Sequence, residues 1–149
     1  MVQPISTQPL LQQNPTQPNV GALQHPSRQA YELLHLGFTA APVLFGLDKF
    51  AHLMTNWDNY LAPALANLSP LGTHGTMLVV GVVEVVAGLL VAVKPKIGGV
   101  VVAAWLLGII VNLALLGHAW DIALRDFGLM LGALALSRLA VAHEAGEIP

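Results

Sequence analysis

Four long apolar runs follow one another along the chain, separated by shorter polar segments. They cover residues 30–54, 76–93, 97–117 and 121–142. Each is close to the ~20 residues with which an α-helix crosses a ~30 Å hydrocarbon layer. The runs are rich in Leu, Ala, Val and Gly and lack strict alternation, which favours helices over strands. We therefore expect an all-α, polytopic membrane protein, a four-transmembrane-helix antiparallel bundle occupying residues 30–142.

The segments outside the runs complete this domain organisation. Residues 1–29 are rich in Gln and Pro and predict a disordered or partner-binding N-terminal tail, and residues 143–149 form a short C-terminal tail. The connection over 55–75 contains Trp57 and Tyr60, which favour the membrane–water interface. We expect a short surface helix over residues 60–67 of that connection.

Composition agrees with a membrane protein and removes several function classes. Hydrophobic residues make up 55% of the chain and charged residues only 9%, against roughly 25% in soluble domains. A net charge of −2 without a basic patch argues against nucleic acid as a partner. The absence of cysteine excludes disulfides and thiolate metal sites. The expected partners are the lipid bilayer and either other membrane protein subunits or further copies of this chain.

The positions of the basic residues predict the orientation in the membrane. Arg28, Lys94, Lys96 and Arg138 all fall on one side of the predicted bundle, while the first and third connections contain no Lys or Arg. Positive residues are enriched on the cytoplasmic side of membrane proteins. Both termini should therefore be cytoplasmic.

Ionisable and amide side chains lie inside the apolar runs at matching depth. Because successive helices alternate in direction, their positions all fall in the outer half of the predicted bundle. Such residues usually face the bundle interior, since a charge at the bilayer centre costs about 2.5–3.5 kcal/mol on insertion scales. The sequence therefore predicts a polar pocket near the outer end, formed by Asp48, Lys49, Glu84, Asn112, Asp121, Arg125 and Asp126, with His118 close by.

Charge pairing within this pocket can be anticipated. Arg125 is a natural bidentate partner for a carboxylate, and Asp48 on the first helix is the candidate. Glu84 is the deepest acid, so we expect it to pair with Lys49 or to carry a proton. Glu84, Asp126 and His118 are candidates for proton handling. The alternative is that these ions only fix the register of the helices.

Glycines at helical spacing from these residues predict the packing faces. Small residues let membrane helices approach closely. By steps of three and four, glycines share faces with Glu84, with Asn112 and with Arg125. The predicted packing positions are Gly81, Gly88, Gly108, Gly128 and Gly132.

The histidines do not form a motif with metal-ligand spacing. His52 and His118 lie at the outer ends of the first and third runs and could approach each other. A bis-histidine haem needs such a pair, but the site would be shallow, and the sequence favours a hydrogen-bonding role. No metal site is predicted.

Several short motifs together resemble the DoxX-like family of small bacterial membrane proteins. They are Gly46-Leu-Asp-Lys-Phe50, Gly81-Val-Val-Glu84-Val-Val-Ala-Gly88 and His118-Ala-Trp-Asp-Ile-Ala-Leu-Arg-Asp126. The resemblance covers residues 30–142. It implies a four-helix bundle in the bacterial inner membrane, and one branch of the family is linked to a thiosulfate:quinone oxidoreductase. The chain has no cysteine and therefore lacks the side chains that a thiol relay would need.

Three functions follow as expectations. The first is an accessory or structural subunit of a bacterial membrane complex, for which a respiratory complex is one candidate. Such a subunit would not be a catalyst on its own. The second is a redox subunit that binds a quinone or quinol, the one cofactor considered, in the outer pocket. The third is a small-solute or proton-coupled carrier, which the absence of inverted repeats makes less favoured.

Overall fold

The described part of the chain, residues 26–148 of a computed structural model, is helical and contains no strand. Four long helices are joined by short connections, and the first connection contains two short helical pieces. The bounds are α1 Pro26–Ala51, a 3₁₀ turn Trp57–Tyr60, α2 Pro63–Leu68, α3 Gly72–Val93, α4 Pro95–Leu116 and α5 Trp120–Glu144. The predicted all-α class is therefore confirmed.

The element ends differ from the predicted ones by a few residues. α1 begins at Pro26, so residues 26–29 of the predicted tail are helical, and residues 1–25 lie outside the described residues. The helix expected over 60–67 is present in shifted form as the 3₁₀ turn and α2. α2 and α4 both have proline at the first helical position, where its missing N–H costs nothing. α4 ends at Gly117, whose φ of 85° suits glycine.

Three helices of the described chain are long and apolar enough to cross a membrane. They are α1, α3 and α4, with 26, 22 and 22 residues and hydropathies of 1.3, 2.5 and 2.5. α5 has 25 residues and carries Asp121, Arg125 and Asp126 in its first two turns. It is not one of the three, so the fourth crossing stays a prediction.

The helices meet at close backbone contacts that fix their relative directions. A Cβ on Gly46 of α1 would lie 2.6 Å from the Gly81 carbonyl oxygen of α3, and one on Gly88 would lie 2.8 Å from the Thr39 carbonyl oxygen. From the first of these contacts to the second, the residue number falls along α1 and rises along α3. The two helices are therefore antiparallel. In α4, a Cβ on Gly99 would lie 2.7 Å from the Ala133 carbonyl oxygen of α5.

The glycine predictions are met at some positions and not at others. Gly81, Gly88 and Gly132 contact a neighbouring helix, and at Gly132 the neighbour is the Phe38 ring. The prediction for Gly108 and Gly128 was wrong, because a Cβ at either position would meet nothing within 4 Å. Both share a helical face with a polar residue, but that face borders open space rather than another helix. Gly46, Gly98 and Gly99 are close-contact positions that the polar-residue spacing did not indicate.

The apolar core lies toward the end of the molecule that carries residues 94–96, which we call the 94–96 end. Its buried members include Val91, Ala133 and Leu136, all with an exposed fraction of zero. The Ser137 hydroxyl donates to the Lys96 carbonyl oxygen at 2.8 Å and joins α5 to the first turn of α4. The opposite end, which we call the pocket end, is less densely filled.

Candidate functional site

A pocket of about 670 Å³ opens at the pocket end, between the long helices and the α1–α3 connection, residues 52–71. Its wall is mainly apolar and aromatic, and a few polar side chains reach it. The aromatic members are Phe45, Trp57, Tyr60 and Trp105, and the polar and charged members are Lys49, Thr55, Ser69, Thr76, Glu84, Asn112 and Arg125. Of the eight predicted site residues, the structure therefore places four in the pocket lining: Lys49, Glu84, Asn112 and Arg125.

A buried ion pair joins α1 to α3 at this wall. The Lys49 ammonium donates to Glu84 Oε2 at 2.6 Å, and the two side chains are only 4% and 9% exposed. Lys49 lies in the last turn of α1, and Glu84 lies in the middle of α3. Of the two states expected for Glu84, the structure shows the paired one.

The Trp57 ring lies against this ion pair from the α1–α3 connection. Lys49 Nζ is 4.0 Å from the ring centroid, a cation–π contact. The indole N–H donates to Asp48 Oδ2 at 2.7 Å. Phe45 packs against the same ring edge-on at 6.0 Å between centroids. Consecutive residues of α1 therefore fix the indole, Asp48 at its nitrogen and Lys49 over its face.

Asp48 does not pair with Arg125, so that prediction was wrong. The Asp48 carboxylate also accepts the backbone N–H groups of Leu53 and Met54, at 3.0 and 3.1 Å. These amides follow the end of α1 and have no helical partner, so a carboxylate five and six residues earlier satisfies them. Backbone N–H groups of the connection therefore use the hydrogen-bonding capacity of the Asp48 carboxylate. Pairing charged side chains with one another could not have predicted these donors.

Arg125 instead lies beside its own neighbour. Its Nε is 3.6 Å from Asp126 Oδ1, and its side chain is 67% exposed while that of Asp126 is 9% exposed. Arg125 borders the pocket, whereas Asp126 is buried and does not line it. Of the α5 charges, only the exposed Arg125 guanidinium therefore contributes to the pocket lining.

Asn112 of α4 anchors the α1–α3 connection through the main chain. Its Oδ1 accepts the Ala62 N–H at 2.9 Å, and its Nδ2 donates to the Tyr60 carbonyl oxygen at 2.6 Å. The Asn112 side chain therefore uses both its carbonyl oxygen and its amide nitrogen in this contact, and Ala62 is fully buried. This contact explains why a polar side chain interrupts the apolar run about one turn before the end of α4.

Two predicted site residues lie apart from the pocket. His118 and Asp121 are exposed at the junction of α4 and α5 and do not border the cavity. His52 does not approach His118; its ring stacks on that of His74 at 5.5 Å between centroids. Of the three candidates for proton handling, only Glu84 lines the pocket.

Other residues at the site were missed or only partly indicated. Trp105 shares a helical face with Gly108 and Asn112, a spacing visible in the sequence, and all three border the pocket. Its indole nitrogen is buried beside Glu84 but forms no hydrogen bond of ordinary geometry. His52, Asp58 and His74 come together near the connection, with ligand atoms within 4.8 Å of one another. Their distance along the chain gives no motif that would reveal this group.

Comparisons with protein-family models, curated proteins and solved structures found no match to this chain. The DoxX-like resemblance therefore rests on the short motifs alone.

Proposed function

We propose that this chain is a membrane subunit that crosses the bilayer four times and binds an amphipathic, ring-bearing small molecule of the quinone or quinol class. The observation that carries the proposal is the buried Lys49–Glu84 pair on the wall of a 670 Å³ pocket. An ion pair within membrane-spanning helices is costly and usually serves a site. Most small-molecule pockets have volumes of about 300–1,000 Å³, apolar walls and a few convergent polar groups.

The wall offers the contacts that such a ring needs. An ammonium such as that of Lys49 can donate to a ring carbonyl, and a carboxylate such as that of Glu84 can accept from a ring hydroxyl. Trp57, Tyr60 and Trp105 supply aromatic faces for stacking. Most of the remaining lining residues are apolar and suit an isoprenoid or alkyl tail.

A fourth crossing by α5 is supported by its neighbours. α5 packs antiparallel to α4 from Gly99–Ala133 at the 94–96 end to the cluster of Leu113, Ala119 and Ala123 at the pocket end. If α4 crosses the bilayer, a helix paired along its whole length lies at the same depth. The outward residues of α5, among them Leu124, Phe127 and Leu131, are 46–72% exposed and would face lipid.

In this function the chain binds the quinone or quinol, and a partner subunit carries out the electron transfer. Within the described residues this chain supplies hydrogen-bonding, stacking and cationic groups to the pocket. An accessory role in a bacterial respiratory complex is compatible with this, and the carrier function has no observation in its favour. Stoichiometric co-purification with a larger complex, seen by native mass spectrometry in mild detergent, tests the accessory role.

Two glycines provide a matched test of the pocket. Gly108 and Gly128 both have open space where a side chain would start, but only Gly108 lines the cavity. In nanodiscs, a short-tailed quinone should bind the wild-type protein and Gly128→Leu equally. Gly108→Leu should weaken binding at least about tenfold, because it fills volume that the ligand needs.

Tryptophan fluorescence quenching or calorimetry measures this affinity. Failure of the wild-type protein to bind quinones and quinols would refute the ligand class. Equal binding by Gly108→Leu would refute the location. Glu84→Gln should also weaken binding, through loss of the carboxylate acceptor rather than of space.

A further inference from the structure

Two histidines and one aspartate from three segments meet on the outside of the α1–α3 connection. His52 directly follows α1, Asp58 lies in the 3₁₀ turn, and His74 lies in the first turn of α3. His74 Nδ1 is 3.2 Å from Asp58 Oδ2, and the His52 and His74 rings are stacked with an interplanar angle of 22°. One ligand atom from each residue lies within 4.8 Å of the others.

The chemistry of these donors selects a class of ion. Imidazole nitrogen suits Zn²⁺, Cu²⁺ and Ni²⁺, whereas Ca²⁺ and Mg²⁺ prefer oxygen ligands. Two histidines and one carboxylate form a recurrent zinc ligand set, with water in the fourth position. None of the three side chains is used by the pocket, and none lines it.

The geometry is close to that of a bound ion. Ligand atoms 2.0–2.1 Å from a tetrahedral Zn²⁺ are roughly 3.4 Å apart. Closing from 4.8 Å to that spacing requires shifts of about 1 Å and a rotation of the stacked imidazole rings, for which the exposed His74 side chain (57%) and the partly exposed Asp58 side chain (29%) have room. Water can reach the group and complete the coordination.

An ordinary surface hydrogen bond accounts for only part of the arrangement. The His74–Asp58 contact alone would join α3 to the 3₁₀ turn, but it would not involve His52. His52 has a φ of 53°, an uncommon conformation for a residue other than glycine, and its N–H donates to the Asp48 carbonyl oxygen at 2.7 Å. This turn directs the chain so that a second imidazole stands beside the His74 ring and the Asp58 carboxylate.

We propose that His52, Asp58 and His74 bind one divalent transition-metal ion. The ion would connect the end of α1, the 3₁₀ turn and the start of α3. It would therefore fix both ends of the segment whose Trp57 and Tyr60 line the pocket. With the orientation expected from the basic residues, the site faces the non-cytoplasmic side.

Zinc titration of the purified full chain tests the site. The protein is freed of any affinity tag, washed with EDTA and placed in nanodiscs, and Zn²⁺ binding is followed by calorimetry. One equivalent should bind to the wild-type protein. His52→Gln, Asp58→Asn and His74→Gln should each weaken that binding at least about tenfold, as expected for loss of a direct ligand.

His118→Gln is the matched control. His118 is exposed and lies outside the group; the variant should bind like the wild-type protein. Unchanged binding in His52→Gln and His74→Gln, or no stoichiometric binding by the wild-type protein, would overturn the proposal. Neither result depends on whether the pocket binds a quinone.

Copper provides a second readout that reports the ligands themselves. The electron paramagnetic resonance spectrum of the protein with one equivalent of Cu²⁺ should show coupling to two imidazole nitrogens. His52→Gln should leave one. A spectrum with oxygen ligands only would contradict the site even if an ion is retained.

Discussion

At the scale of single residues, neighbouring charges at the end of α1 have separate tasks. The Asp48 carboxylate organises the backbone that leaves the helix and the Trp57 nitrogen, while Lys49 crosses to Glu84 of α3. Trp57 contacts both of them. The charge balance of the pocket therefore depends on the conformation of a connection outside the long helices.

The Lys49–Glu84 pair yields a prediction about stability. Removing one partner of a buried pair leaves an uncompensated charge and typically costs about 3–5 kcal/mol. Lys49→Met should therefore lower the melting temperature in detergent markedly. The double variant Lys49→Met/Glu84→Leu should recover much of that loss, since two apolar side chains of similar size replace the pair.

An exposed ion pair serves as the control for this series. Lys96 and Glu144 are 3.4 Å apart with side chains 49% and 57% exposed. Lys96→Met should change stability by no more than about 1 kcal/mol, because solvent screens such pairs. Equal losses in Lys49→Met and Lys96→Met would show that the first pair is not buried from water.

At the scale of the helices, glycine sets how closely the backbones approach. Gly46 and Gly81 face each other across α1 and α3, so that each would direct a Cβ at the other's carbonyl oxygen. The Lys49–Glu84 pair lies on the same interface, within one turn of these glycines in both helices. Close approach of the backbones and the short ion pair are therefore parts of one contact.

Alanine substitution at two glycines separates packing from helix propensity. In Gly81→Ala the new Cβ would lie 2.7 Å from the Gly46 carbonyl oxygen, so the helices must move apart and overpacking should cost about 1–3 kcal/mol. Gly128→Ala meets no neighbour and should be neutral or stabilising, by up to about 1 kcal/mol.

Thermal unfolding of both variants in the same detergent measures the difference. Gly81→Ala should also weaken quinone binding, because it displaces Glu84 relative to Lys49. A Gly81→Ala protein as stable as Gly128→Ala would contradict the close contact between α1 and α3.

The elements show what the sequence can and cannot predict. Apolar run length located all four long helices to within a few residues, because the runs reflect the same burial requirement as the helices. Helical spacing placed Trp105, Gly108 and Asn112 on one face. It could not tell whether a face borders a helix or a cavity, and so Gly108 and Gly128 were misassigned.

A second limit on prediction from the sequence is that some side chains have backbone groups as their hydrogen-bond partners. The Asp48 acceptors and the Asn112 anchor both engage main-chain groups of the α1–α3 connection, which carry no residue-specific signal. The group of His52, Asp58 and His74 likewise depends on where the connection folds back. Only the structure reveals such contacts.

At the scale of the whole molecule, the two ends differ. The 94–96 end contains the fully buried Val91, Ala133 and Leu136, and the pocket end contains the cavity and its polar wall. Ligand binding should therefore depend on the pocket end, whereas stability depends on contacts at both ends. In the proposed four-crossing topology, these ends would lie at opposite faces of the membrane.

Single cysteines can test that topology, because the chain has none of its own. Asn59→Cys, Lys94→Cys, His118→Cys and Glu147→Cys each introduce one at an exposed connection or end. An impermeant maleimide applied to intact cells should label positions 59 and 118 but not 94 and 147. Labelling positions 118 and 147 alike would show that α5 does not cross the bilayer.

The Asn112 anchor has a consequence for how this pocket can diversify. Its amide recognises only main-chain atoms of Tyr60 and Ala62, so these two hydrogen bonds do not depend on which side chains the segment carries. Tyr60 and Leu61 both line the cavity, and conservative substitutions there should leave the Asn112 hydrogen bonds in place. Descendants of such a protein could acquire new ligand preferences by single substitutions there, while the scaffold underneath remains unchanged.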